Sequence, residues 1–331
     1  MKYRILGNSG LRVSVMAFGA WQIGDPAYWG ADAESDAQAA VDAAIDAGIN
    51  LFDTAEMYGA GESERVLGRV LGNRRRNVLV ASKVWPDKCA PAALRRACEG
   101  SLSRLNTDCI DLYQIHWAPR DVPFEDVYGE MARLKDEGKI REIGVSNFGV
   151  TDLEAWRRAG NCVSNQLGYN LLFRAIEYEI VPACREAGIG VLAYMPLMQG
   201  LLAGRWQTPE DVPMLRRRTR HFAGTREGTR HGEAGCEELT FSISREIQRI
   251  ADQLGAPMAN VALAWTMAQP GVTSVMVGAR NAAQLTRNVA SVGFDLSTDL
   301  SERLDRATQP LKEYFGRNAD MWDSEANSRV R

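Results

Sequence analysis

Residues 110–145, IDLYQIHWAPRDVPFEDVYGEMARLKDEGKIREIGV, contain one full period of the chain's architecture. Ile110–Ile115 is an apolar run of strand length. Val127–Glu137 is an amphipathic helical stretch, and Gly138 follows it as a stop that accepts a left-handed backbone. Glu142–Val145 opens the next apolar run. A strand, a helix and a second strand in this order predict a parallel βαβ unit.

The same period extends in both directions. Eight apolar runs occur: Val15–Phe18, Asn50–Phe52, Val78–Ser82, Ile110–Ile115, Glu142–Val145, Ser164–Gln166, Val191–Ala193 and Ser274–Val277. Helical stretches alternate with them at Ser35–Ala47, Ser63–Leu71, Pro91–Leu105, Val127–Glu137, Thr151–Ala159, Glu179–Ala187, Glu238–Leu254 and Ala282–Val292. An extra helix, Ala259–Ala268, precedes the last run. Gly48, Gly72, Gly138, Gly160, Gly188 and Gly255 each follow a helical stretch and read as left-handed stops. Eight β–α units predict an α/β fold, a closed (β/α)8 TIM barrel forming one domain over residues 1–331. An open doubly wound sheet is the alternative. It would carry a glycine fingerprint after its first strand, and Gly19-Ala20-Trp21-Gln22-Ile23-Gly24 is not one. Before the first run, Tyr3–Leu6 and Leu11–Val15 flank an Asn8-Ser9-Gly10 turn and predict a β-hairpin. Residues 205–237 form a long, polar, aperiodic stretch with the reading of a lid. Residues 311–331 read as a tail packed over a barrel mouth.

Bulk properties narrow the function. The chain has 331 residues, 45% hydrophobic and 24% charged, with a formal net charge of −3. That charge favours neither nucleic acid nor an anionic membrane as partner. No apolar stretch approaches the roughly 18 residues of a membrane span, and the N-terminus has no signal-peptide pattern, so the cytoplasm is expected. The six cysteines lack the spacing of a metal site and the three histidines form no metal motif, so free thiols and no metal are expected.

The active site of a barrel lies at the C-terminal ends of its strands. Asp53, Lys83 and His116 stand at the ends of three consecutive runs. Asn147, Gln166, Tyr194, Gly278 and Arg280 stand at the ends of later ones. Taken singly, each has an ordinary explanation: Asp53 as a helix cap, Lys83 as a solvated charge, His116 as a rim histidine, Tyr58 as an amphipathic rim residue. Together they fit carbonyl reduction. Hydride reaching a carbonyl carbon leaves negative charge on oxygen, which needs a proton donor and oriented dipoles. A phenol is a weak acid at neutral pH. A lysine cation at about 4 Å in an effective dielectric of about 20 stabilises its anion by roughly 4 kcal/mol, so Lys83 is expected to lower the Tyr58 pKa by up to about three units. Asp53 is expected to keep Lys83 charged, and His116 to orient the carbonyl.

These residues lie in stretches that resemble the aldo-keto reductase family. Gly48-Ile-Asn-Leu-Phe-Asp53-Thr54-Ala55-Glu-Met-Tyr58-Gly59 is similar to its aspartate and tyrosine signature. Ala81-Ser82-Lys83-Val84 is similar to its lysine strand, and Ile110-Asp111-Leu112-Tyr113-Gln114-Ile115-His116-Trp117 to its histidine strand. Gly138-Lys139-Ile140-Arg141 and Gly144-Val145-Ser146-Asn147-Phe148 follow in order. The resemblance implies NADP(H) as cofactor. It implies that Ser146, Asn147 and Gln166 hold the carboxamide and that Tyr194 stacks on the nicotinamide. Pro196, Leu197, Gly200, Leu201 and Gly204 would line the pyrophosphate path, with Arg205 beside it. Gly278, Arg280, Gln284 and Asn288 would hold the adenosine end. Asp53 and Trp21 would border the cofactor. Met195, Val277 and Arg287 depart from the family pattern. NADPH is expected over NADH because Arg280, helped by Arg287, Arg205 or the run from Arg216 to Arg220, can fork onto a 2′-phosphate.

Trp21, Tyr58, Trp85, His116 and Trp117, with Tyr28 and Trp29 nearby, suggest an aromatic-walled pocket for a small carbonyl substrate. Two other readings stay open within the resemblance. One is a regulatory binding subunit such as the potassium-channel β subunits, although no partner-binding extension is seen. The other is a sugar or polyol dehydrogenase running the reaction in reverse.

Overall fold

The computed structural model describes residues 1–30 and 34–331. Ten strands are described: β1 (Tyr3–Ile5), β2 (Arg12–Ser14), β3 (Met16–Gly19), β4 (Leu51–Asp53), β5 (Leu79–Val84), β6 (Ile110–Ile115), β7 (Ile140–Ser146), β8 (Ser164–Gly168), β9 (Gly190–Tyr194) and β10 (Val272–Gly278). The described α-helices are α1 (Trp21–Gly24), α2 (Pro26–Trp29), α3 (Glu34–Asp46), α4 (Glu62–Leu71), α5 (Pro91–Leu105), α6 (Phe124–Asp136), α7 (Val150–Ala159), α8 (Ile180–Glu186), α9 (Glu237–Gln253), α10 (Met258–Ala268), α11 (Ala282–Val289) and α12 (Thr298–Phe315).

Strands β3 to β10 pair in parallel in the order β10-β3-β4-β5-β6-β7-β8-β9, and β9 returns to β10. The sheet is therefore a closed (β/α)8 barrel, and the open-sheet alternative falls. The antiparallel hairpin β1–β2 stands outside it, with Tyr3 opposite Ser14. Leu6, Leu11 and Val13 of the hairpin pack into one apolar cluster with Ala17, Leu51, Ala81, Leu112, Leu192 and Met276. The hairpin thus plugs the N-terminal end of the barrel.

Alternation along the strands then determines what stands above that plug. Residues two apart share a face. Leu51, Ala81, Leu112 and Leu192 form an apolar layer, so Asp53, Lys83, Gln114 and Tyr194 form the next layer toward the C-terminal end. The residues between them, such as Phe52 and Tyr113, face outward into the main core against the helices.

Two expectations need correction. The helical stops at Gly48, Gly72, Gly138, Gly188 and Gly255 carry positive φ, but Gly160 has φ 170°, an extended backbone open to any residue. Its reason is space: a Cβ there would lie 2.0 Å from the Tyr128 ring. The tail expected from Leu311 begins only after Phe315, because α12 runs through it with Pro310 inside. The helix is charge-rich, but Leu300, Leu304, Leu311 and Phe315 supply a buried stripe, and Ser297 caps its first turn through the Leu300 N–H. Among the described residues, no helix is long and apolar enough to cross a membrane.

Candidate active site

A cavity of about 600 Å³ opens at the C-terminal ends of the strands. At its base, Lys83 Nζ donates to Asp53 Oδ2 at 2.7 Å, to the Thr54 carbonyl at 2.9 Å and to the Tyr58 hydroxyl at 3.2 Å. Lys83 is fully buried and does not itself line the cavity; Tyr58 stands between it and the open space. Tyr58 opens a 3₁₀ turn, Tyr58–Gly61, between β4 and α4. Asp53 accepts a further bond on its other oxygen from Gln166 Nε2 at 2.8 Å, with Gln114 Nε2 at 3.5 Å.

Burial decides the protonation states. Lys83 is held above its ordinary value: desolvation opposes the cation, but Asp53 and Tyr58 together outweigh it. His116 is pushed well below 6.5 by desolvation and by the cations Lys83 and Arg329, so it is neutral at physiological pH. Tyr58 corrects the sequence expectation. Its pKa is raised, not lowered, because desolvation of the phenolate and the Asp53 charge outweigh the attraction of Lys83. Lys83 moderates the rise.

Aromatic rings form the walls. Trp21 stacks on Tyr58 with centroids 5.4 Å apart, and the His116 ring stands edge-on to both Tyr58 (5.7 Å) and Trp85 (5.1 Å). Trp21 is oriented by Asp25, which accepts its indole N–H at 2.8 Å. The C-terminal tail adds two walls. Trp322 stacks near Tyr194 at 6.2 Å, and Arg329 lies 3.7 Å over the Trp117 ring. Arg329 is held there by Asp320 at 2.8 Å and Asp323 at 2.9 Å.

A polar cluster extends from Asp53 through Gln166. Ser146 Oγ donates to the Gln166 carbonyl (2.9 Å), Asn147 Nδ2 donates to the His116 carbonyl (3.0 Å), and Tyr194 donates to Asn147 Oδ1 (2.7 Å). Asn147 holds φ 60°, a strained backbone position. Pro196, Leu197, Gly200, Arg205, Gly278, Arg280 and Gln284 also line the cavity, whereas Leu201, Gly204 and Asn288 do not. Gln284 also accepts the Arg280 backbone N–H at 3.0 Å.

Of the arginine run, Arg216 and Arg218 reach the cavity, over the rings of Trp29 (4.7 Å) and Tyr28 (5.5 Å). Arg217, Arg220 and Arg287 do not reach it, and Arg220 pairs with Glu233 at 2.9 Å. Arg216 is lowered from its ordinary value by burial and by the proximity of Arg205 and Arg280. Arg205, Arg216 and Arg280 therefore lie near one another along the cavity wall. Tyr28 ties this region together, its hydroxyl lying 2.8 Å from both Gln199 Oε1 and the Leu215 carbonyl.

Sequence reasoning missed Gln22, Asp25, Gln199 and Arg329 as lining residues. Gln22 carried a weak signal, sitting next to Trp21 in the run after β3. Arg329 carried none, since only the folded tail brings it to Trp117. Among the described residues, no cluster of His, Cys, Asp and Glu is arranged to hold a metal.

The residues suit a dinucleotide. The amide and hydroxyl cluster of Ser146, Asn147 and Gln166 matches a carboxamide, the converging arginines match phosphates, and Gln22 Oε1 is buried in the cavity wall without a partner. Comparison with known proteins gives independent findings. The model of the aldo/keto reductase family matches residues 15–309. An uncharacterized oxidoreductase of Mycobacterium tuberculosis is 36% identical over 94% of each chain. A methylglyoxal reductase of Escherichia coli is 35% identical over 78% of this chain and 80% of its own. The crystal structure of an aldo/keto reductase from Klebsiella pneumoniae, in complex with NADP and acetate, superposes with a TM-score of 0.74 at 30% identity, covering 98% of this chain and 100% of that one.

Proposed function

The chain belongs to the aldo/keto reductase family, and from that premise we propose that it reduces aldehydes or ketones to alcohols with NADPH, Tyr58 being the proton donor. One observation carries the reading: a buried Asp53–Lys83–Tyr58 chain, at 2.7 and 3.2 Å, ends in a phenol that faces the same cavity as a neutral His116. NADPH, when bound, supplies the hydride.

The chain's own residues do the rest. Neutral His116 offers an N–H to the carbonyl oxygen and orients it. Negative charge builds on that oxygen, and Tyr58 delivers its proton there. The phenolate left behind lies 3.2 Å from Lys83, a cation that Asp53 keeps charged. The aromatic walls exclude water, which strengthens these interactions. A raised Tyr58 pKa keeps the proton on the phenol at neutral pH, as a reductase requires. Oxidation of a polyol would use the same group as the base, so a screen of alcohols with NADP+ beside carbonyls with NADPH separates the two readings. Ser146, Asn147 and Gln166 would hold the carboxamide, and Arg205, Arg216 and Arg280 the phosphates. The substrate class is a small carbonyl compound.

The test is a fluorescence titration followed by turnover. NADPH is expected to bind at least about tenfold more tightly than NADH, the equivalent of one charge-assisted contact of about 1.4 kcal/mol. Bound enzyme is expected to reduce 4-nitrobenzaldehyde. Equal dissociation constants would overturn the NADPH assignment. Binding with no turnover of any carbonyl would favour a regulatory subunit instead.

A further inference from the structure

Outside the cavity, a second set of charges joins the strand that carries Lys83 to the turn that carries Tyr58. Alternation sends Lys83 inward, so its neighbour Ser82 faces the helices. The Ser82 hydroxyl donates to Glu64 Oε1 at 2.5 Å, and Glu64 is fully buried at the start of α4. The other Glu64 oxygen accepts from Arg104 Nε of α5 at 2.6 Å. Arg104 passes directly over the turn: a Cβ at Gly61 would lie 2.7 Å from Arg104 Cδ, so only glycine, here at φ 88°, leaves room for it. The guanidinium also stands 4.0 Å from Glu56 Oε2. Glu56 in turn accepts the Trp85 backbone N–H at 3.1 Å and Lys88 Nζ at 2.9 Å. One cation therefore meets carboxylates from both sides of Tyr58 in the chain, and both carboxylates are anchored to β5 or to the segment just after it.

We infer that Arg104 is a positioning residue for proton transfer, fixing the Tyr58 hydroxyl against Lys83 while touching neither substrate nor cofactor. The inference rests on the proposed role of Tyr58. The Lys83–Tyr58 contact, at 3.2 Å, is at the long limit of a hydrogen bond, so a shift of the turn by about 1 Å breaks it. Misplacements of about that size cost roughly a hundredfold in rate.

Removing Arg104 alone leaves Glu64 as an uncompensated buried charge and risks the fold. The decisive variant is therefore Arg104→Met/Glu64→Gln, which removes both charges and keeps an acceptor for Ser82. Arg104→Lys serves as the conservative rescue. Each is assayed with NADPH and 4-nitrobenzaldehyde beside Tyr58→Phe. In the double variant, kcat is expected to fall about 10- to 100-fold, while KM and the NADPH dissociation constant stay within about twofold. The solvent deuterium isotope effect on kcat is expected to rise, because proton delivery becomes limiting. Arg104→Lys is expected to recover part of the rate and to lower the isotope effect. A folded double variant with kcat within about twofold of the parent would overturn the inference. So would a loss of kcat matched by an equal loss of NADPH-binding sites with an unchanged isotope effect, which marks damage to the fold. If Tyr58→Phe retains turnover, the role of Tyr58 falls and the inference falls with it. If Tyr58→Phe is inactive while the double variant is not, Arg104 alone is excluded.

Discussion

At the scale of single residues, Tyr58 and His116 titrate in opposite directions from their ordinary values, and both shifts arise mainly from desolvation. Reduction needs the phenol protonated, which holds below its raised pKa. It needs the imidazole neutral, which holds above its lowered pKa. The rate of the chemical step is therefore expected to be flat from about pH 6.5 to about pH 9.5, with no inflection near the ordinary histidine value. Single-turnover rates across that range check this, and a sigmoid centred near pH 6.5 would contradict it. The pairing of Asp53 with Lys83 was readable in the sequence, because both end apolar runs whose strands are adjacent. The sign of the Tyr58 shift was not. Coulomb attraction follows from identity and spacing, whereas desolvation depends on walls such as Trp21 and Trp85 that arrive from separate loops.

At the scale of elements, the repeat made the barrel legible. Fully buried parallel strands read as continuous apolar runs, and eight of them with helices between leave few arrangements. The exceptions have local causes. Helix α12 escaped notice because Pro310 and many charges obscure the stripe Leu300, Leu304, Leu311 and Phe315. Gly160 was read as a conformational stop, but Tyr128 occupies the place its side chain would take. Gly160→Ala is compatible with an extended backbone yet must displace that ring from its edge-on contact with Trp156 at 5.9 Å. Overpacking of this kind costs about 1–3 kcal/mol. The midpoint of urea unfolding is expected to fall accordingly, with turnover unchanged, and an unaltered midpoint would contradict the packing account.

At the scale of the whole molecule, segments far apart in the chain converge on one mouth. The α1–α2 segment brings Trp21 and Trp29, the 205–237 loop brings Arg216 and Arg218, and the tail brings Trp322 and Arg329. The loop and tail contributions were the least legible part of the site, because no local periodicity marks which of their residues turn inward. Arg329 illustrates their energetic weight. It balances Asp320, which is fully buried, and covers Trp117. Arg329→Ala leaves that carboxylate without its cation. Since the guanidinium is partly solvated, the expected loss of stability is about 2–3 kcal/mol. The Trp117 wall loosens with it, so KM for the aldehyde is expected to rise while the NADPH dissociation constant holds. Parallel thermal melts and steady-state assays check both, and a variant with parental melting and KM would contradict the tail's role in the pocket.

The most direct test of the central claim isolates the chemical step. Enzyme saturated with NADPH is mixed with 4-nitrobenzaldehyde in a stopped-flow instrument, and the decay of NADPH absorbance is followed in the parent and in Tyr58→Phe. Removing the proton donor is expected to slow that single turnover about 10²- to 10⁴-fold while leaving NADPH affinity unchanged. A Tyr58→Phe enzyme that consumes NADPH at the parental rate would contradict the account.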